Sequence, residues 1–207
     1  MNIKAGIWSA IINSVSVMSF AICMILENNY GSYIASMFIA FSFVPMMCSF
    51  YHYSNPDVKV PGLISVAFAS AYLVLILAVY YAQVTTIRFH NLDDHALQIL
   101  DYKRFGLLFN YDLLGYGIMA LSTFFAGFTI KVKSKTDRLL KWLLFIHGIF
   151  FVSSFLSPIL NLFHNEMKGE VWIGKAILLF WCFYFLLVGL SSIRYFTLMR
   201  GRDNCLT

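Results

Sequence analysis

The chain has 207 residues, of which 60% are hydrophobic, 18% aromatic and only 12% charged, and its formal net charge is +5. An ordinary soluble domain is roughly 45–50% apolar and about 25% charged. This composition excludes a disordered chain, a collagen-like fibre and a disulfide scaffold, and argues against a soluble enzyme.

The hydrocarbon layer of a bilayer is about 30 Å thick and a helix rises about 1.5 Å per residue, so a span takes about 20 mostly apolar residues. Six stretches meet that requirement, at about 6–26, 32–51, 62–84, 105–130, 139–163 and 171–194. None has the alternating pattern of barrel strands, and lipid offers no partner to a free backbone group. The expected fold is therefore an all-α integral membrane protein, a six-transmembrane helix bundle forming one domain over 1–207. Glu27–Gly31, Ser54–Gly62, Lys131–Lys141 and His164–Glu170 read as turns and connectors.

Orientation follows from the placement of Lys and Arg. Ten of the fifteen basic residues, from Lys4 and Lys59 through Lys131–Lys141 to Arg194, Arg200 and Arg202, fall on the side of the termini, so the N- and C-termini are expected to be cytoplasmic. Arg88, Lys103, Arg104, Lys168 and Lys175 fall on the other side. The basic excess reads as an orientation signal and an anionic-lipid contact, with no nucleic acid as partner. The run after Lys4 is too long for a signal-peptide core and lacks a cleavage site, so the first span is expected to be uncleaved. Trp8, Trp142 and Trp172 sit near span ends, where indole favours the interface; Trp181 falls mid-span and must pack inside or face lipid.

Only the segment from Thr85 to Arg104 is long. Asn91-Leu92-Asp93-Asp94 offers helix caps, and Ala96, Leu97, Ile99, Leu100 and Phe105 recur among polar positions, so a short amphipathic outer-surface helix is expected between spans 3 and 4. It reads either as a connector resting on the bilayer or as a lid.

Chemistry-bearing residues are few. Cys23, Cys48, Cys182 and Cys205 show no Cys-x-x-Cys pairing, and the first three read as small core residues. No metal is expected, the nearest approach to a site being His90 with Asp94 or His95; His52 and His164 lie elsewhere in the loops. No hydrolase, P-loop or dinucleotide motif occurs, so no cofactor is expected and no catalytic residue is assigned. The clearest feature is Asp112, about seven residues into the fourth span and hence roughly 10 Å below the outer surface. A carboxylate there costs about 2.5–3.5 kcal/mol on insertion scales, so it should face the interior. Gly115, Tyr116, Met119 and Thr123 continue that face, and Thr123 with Gly127 forms a small-xxx-small pair. In the fifth span His147, Ser154, Pro158 and Asn161 share one helical face. Ser9, Asn13, Ser16 and Cys23 in the first span, and Pro45 among Ser42 and Ser49 in the second, read first as helix-packing features.

Tyr80, Gln83, Asn110, Asp112, Tyr116 and Asn161 come out at similar depth. If their faces converge they make an aromatic-walled site with one acidic group. The leading expectation is a membrane protein that binds or passes a small amphipathic or cationic molecule, or a lipid, through an outward-facing pocket around Asp112. An intramembrane lipid-modifying enzyme is the alternative, with His147 as a proton relay about 8 Å deeper than Asp112. A structural, sensory or immunity-type partner protein is the third. Membrane lipids, a small-molecule ligand and a second copy of the chain are the expected partners.

The runs Asp112-Leu-Leu-Gly-Tyr-Gly-Ile-Met-Ala, Phe124-Phe-Ala-Gly-Phe and Ile146-His-Gly-Ile-Phe-Phe-Val-Ser-Ser-Phe-Leu-Ser-Pro158 resemble a group of small six-span bacterial membrane proteins. The likeness covers mainly the fourth to sixth spans. It implies a multi-pass protein of the bacterial cytoplasmic membrane and transfers no functional residue.

Overall fold

The computed structural model describes residues 2–162 and 171–203, and the described residues form helices joined by short turns, without a strand. Phe163, His164, Lys168, Glu170 and Cys205, and the side chains of Trp172 and Arg202, lie outside the described residues. The helices are α1 (Asn2–Ile25), α2 (Asn29–Tyr53), α3 (Lys59–Ala82), α4 (Asp94–Leu100), α5 (Leu107–Gly127), α6 (Lys135–His147), α7 (Ile149–Ile159) and α8 (Val171–Asp203). A π-helical turn, Gln83–Ile87, prolongs α3.

Local chemistry sets the boundaries. Asn28 caps α2 by accepting from the Gly31 N–H at 3.0 Å, and Ser134 caps α6 by accepting from the Asp137 N–H at 3.2 Å. Asp93 caps α4, accepting from the Ala96 N–H at 2.7 Å. A short helix is therefore present between α3 and α5. Its half-buried Ala96, Leu97 and Leu100 face the bundle, while Ile99 is exposed.

Among the described residues, five segments are long and apolar enough to cross a membrane: Asn2–Ile25, Asn29–Tyr53, Pro56–Ile87, Lys135–Ile159 and Gly174–Arg200. The chain is thus compatible with a multi-pass membrane protein. The 21-residue α5 is not among the five, because Asn110, Asp112, its tyrosines and its glycines dilute its hydropathy. It is nonetheless central to the packing. The contacts run from α1 to α2, α2 to α3, α3 to α5, α5 to α6 and α7, α6 to α8, and α8 back to α1, with α5 also meeting α2. Six rods, counting α6 with α7 as one, close into a ring.

The interior is packed with large side chains, among them Phe43, Tyr72, Met119, Phe185 and Phe196. Apolar side chains such as Trp8, Phe38, Val74, Trp142 and Phe183 cover the outside, the arrangement expected when the solvent is hydrocarbon. Trp181 packs inside. Of the cysteines read as core residues, Cys182 is buried, Cys23 half-buried and Cys48 exposed. Asn13 does bind helix to helix, donating to the Ile39 carbonyl at 3.1 Å and the Ser42 hydroxyl at 3.0 Å.

The fifth expected span is divided at Gly148, between α6 and α7. A Cβ there would stand 2.9 Å from the Phe124 Cβ, so the close approach of α5 requires glycine. Glu27 pairs with Lys175 across the α1–α2 turn. That pairing holds the exposed Glu27 carboxyl below its usual range, so its small stabilisation is present at neutral pH and lost on acidification.

Candidate functional site

Asp112 sits on the inner face of α5 and is only 3% exposed. One turn before it the chain comes off the segment joining α3 to α5, and that segment folds back over the carboxylate. The Tyr102 hydroxyl donates to Asp112 Oδ2 at 3.3 Å, and the Tyr80 hydroxyl faces the same group from α3. Burial first, and then the Asp112 charge, push the Tyr102 hydroxyl above its ordinary range, which keeps it a proton donor.

Tyr33 of α2 completes an aromatic cluster with these two. The Tyr33 and Tyr80 rings stack at 5.4 Å between centroids, Tyr80 and Tyr102 lie 5.9 Å apart, and Tyr33 and Tyr102 6.1 Å apart. Three rings this close to one another leave no space between them, so they plug the route to the carboxylate. Gln83 fixes the plug. Its amide nitrogen donates to the Leu100 carbonyl at 2.7 Å, and its amide oxygen accepts from the Tyr102 N–H at 3.2 Å. A buried glutamine in a π-helical turn thus spends both ends of its side chain on the backbone of the overlying segment. Phe105 adopts φ 53° and Gly106 follows, its Cα against the Gln98 carbonyl, so the segment turns directly into α5. Loss of Gln83, as in Gln83→Leu, is expected to free this segment. Amide exchange at Leu100–Phe105 should accelerate by about tenfold to a hundredfold, for two hydrogen bonds worth about 0.5–1.5 kcal/mol each, while α1 and α2 keep their protection.

Below the plug the carboxylate side continues into the core. Tyr116 lies one turn deeper on α5, its ring 5.7 Å from that of Tyr72 on α3 and 5.1 Å from that of Trp181 on α8. Trp181 Nε1 donates to His147 Nε2 at 3.0 Å, and His147 Nδ1 meets the Thr123 hydroxyl at 2.7 Å. The Thr123 hydroxyl donates its own proton to the Ala120 carbonyl, so it must accept from Nδ1–H. His147 is therefore the neutral Nδ1–H tautomer, fully buried, with both nitrogens occupied.

No protein-family model, curated protein or solved structure matches the chain. The resemblance drawn on the fourth to sixth spans has no matching family model behind it, and the site rests on its own geometry.

Of the residues expected to converge, Asp112, Tyr80, Gln83 and Tyr116 do so. Asn110 and Asn161 do not. Asn110 is exposed, two residues from Asp112 and so on nearly the opposite face of α5. Asn161 lies past the end of α7 at φ 50°; its N–H bonds to the Pro158 carbonyl at 3.1 Å, and the Leu162 N–H bonds to the Ser157 carbonyl at 3.0 Å. That pair of bonds around a left-handed residue is a Schellman stop, so Asn161 ends a helix and does not line a site. His147 does not touch Asp112; the two are linked through Tyr116 and Trp181. The sequence reading missed Tyr33, Tyr72 and Tyr102. A phenol in mid-span, as at Tyr72, is the signal that could have found one of them, since its hydroxyl must be met inside the bundle.

The site is closed. An apolar groove of about 450 Å³ lies elsewhere, along α7, lined by Ile149, Phe150, Val152 and Leu156 among others. Among the described residues no three His, Cys, Asp or Glu side chains converge.

Proposed function

We propose that the chain is a six-span membrane protein that binds a small amphipathic cation at Asp112, beneath a lid formed by the segment between α3 and α5. In this reading α5 is the sixth span, although its composition alone is marginal, because it is enclosed by apolar rods on both sides in the ring. The basic end of the bundle faces the cytoplasm, both termini with it, and α4 lies on the outer surface. The setting is a bacterial cytoplasmic membrane, with lipids as neighbours and a second copy of the chain as partner.

One observation carries the reading: a carboxylate 3% exposed, with no Lys, Arg or His side chain among the described residues paired to it, beneath three tyrosine rings. Among the described residues the two salt bridges, Arg104 to Asp94 and Lys175 to Glu27, involve other carboxylates at the ends of the bundle. A buried carboxylate without a counter-charge is costly, and a ligand cation removes that cost. Aromatic faces add a cation–π contribution once the desolvated cation has parted them. Passage across the membrane would need a second opening at the basic end, and binding is the better-supported half of the expectation. The lipid-enzyme alternative loses ground, because the nitrogens of His147 are both engaged and it has no proton to relay without breaking a buried bond. Native mass spectrometry of the gently purified protein beside Asp112→Asn tests the proposal.

A further inference from the structure

Five buried side-chain oxygens among the described residues have no hydrogen-bond partner: Asn13 Oδ1, Ser36 Oγ, Tyr72 OH, Tyr116 OH and Asp112 Oδ1. Four of the five belong to one place. The Tyr116 hydroxyl lies beside those of Ser36 and Tyr72, and Asp112 sits one helical turn above it. Ser36 comes from α2, Tyr72 from α3, and Asp112 and Tyr116 from α5, so the cluster lies where three helices meet. Ser36 and Tyr72 are fully buried.

The three hydroxyls have only one another and the carboxylate within reach, none in good hydrogen-bonding geometry, so the four oxygens are an under-satisfied polar set, and such sets are retained where something fills them. The nature of the set limits what fits. Every atom is oxygen, which selects a hard cation over a soft one; there is one carboxylate and there are three neutral hydroxyls, which balances a single positive charge. The space is small, since the fully buried side chains of Tyr72, Ile76 and Met119 fill the surroundings. The two oxygens of Asp112 differ: Oδ2 takes the Tyr102 hydroxyl from the plug, and Oδ1 is buried without a hydrogen bond.

We propose that Ser36, Tyr72, Asp112 and Tyr116 form a binding site for a small monovalent cation of the sodium class. The site is distinct from the aromatic plug and does not depend on the organic ligand proposed above. If both bind, they share one carboxylate, so sodium weakens the organic cation and the organic cation weakens sodium by the same factor.

The test is the thermal unfolding of the purified full chain in sodium chloride against N-methylglucamine chloride at equal ionic strength. Wild type should melt about 5–10 °C higher at saturating sodium, with a hyperbolic dependence on sodium concentration. Tyr72→Phe and Ser36→Ala, each of which deletes one oxygen and keeps the shape, should fold in N-methylglucamine chloride and lose most of that shift. Wild type melting equally in both salts overturns the proposal, as does a shift that persists undiminished in both variants. A protonated-carboxyl infrared band in sodium that disappears in Asp112→Asn overturns it as well, since the carboxyl then holds a proton in place of the ion. Because Tyr72→Phe and Ser36→Ala leave the plug intact, an organic adduct that survives them alongside a lost sodium response separates the two sites. A missing sodium response beside an intact adduct overturns this proposal alone.

Discussion

Asp112→Asn is expected to abolish the small-molecule adduct proposed for the wild-type protein, or to weaken its affinity at least a hundredfold. Asparagine keeps the shape of the side chain and an oxygen that can still accept from Tyr102, so the plug should close over it as before. What disappears is the negative charge, and removing one partner of a buried charge pair costs about 3–5 kcal/mol. At about 1.4 kcal/mol per tenfold change, that corresponds to a few hundredfold or more. The variant itself should be at least as stable as wild type in the absence of ligand, because it no longer buries an unpaired carboxylate. Native mass spectrometry of both proteins, with melting curves alongside, reads both quantities. An adduct that remains on the variant sinks the binding proposal. So does a variant that loses its subunit contacts or its fold without any adduct having been present on wild type, for Asp112 is then a structural carboxylate.

A large effect of the opposite kind is expected at His147. His147→Ala removes a side chain that is fully buried and leaves two groups stranded, the Trp181 indole N–H and a lone pair of the Thr123 hydroxyl. Cavity formation and the unmade bonds together should cost about 3–5 kcal/mol, lowering the melting temperature by about 10 °C. His147→Gln, whose amide oxygen can accept from Trp181, should recover part of that loss. Ligand binding at Asp112 should survive in whatever fraction folds. A His147→Ala protein that melts like wild type refutes the interhelical role. If it folds normally yet no longer turns over a lipid substrate, the enzyme reading returns.

The inward face of α5 was legible because its evidence is local: Asp112, Gly115, Met119 and Thr123 fall on one stripe by helical periodicity alone, and all are buried. Trp181 could be placed only once helix order was known, since a mid-span indole is equally at home in the core or against lipid. The fifth span misled for a physical reason. Treating it as one helix put His147 and Asn161 on a common face, whereas Gly148 interrupts the rod and Asn161 ends it in a left-handed turn. Gly148 and Asn161 are both residue types that punctuate helices. Tyr102 escaped because the segment before α5 read as a connector, and nothing local tells a connector that rests on a bilayer from one that reaches back to a buried carboxylate.

The order in which these partners occur along the chain has a bearing on how the protein is made. Ser36, Tyr72, Tyr80, Gln83 and Tyr102 all precede Asp112, so a ribosome delivers them first. On the proposed reading α5 is a span, yet it is the one rod of the ring that falls outside the set apolar enough to cross a membrane, and it carries the charge. The hydroxyls that meet that charge lie in α2, α3 and the segment that follows, all of which are made before it. If α5 spans the membrane as proposed, its insertion is an assisted step, in which the first half of the chain acts as the receiving surface for the second. A chain whose α2 or α3 is exchanged for an unrelated apolar helix would leave α5 stranded outside the lipid.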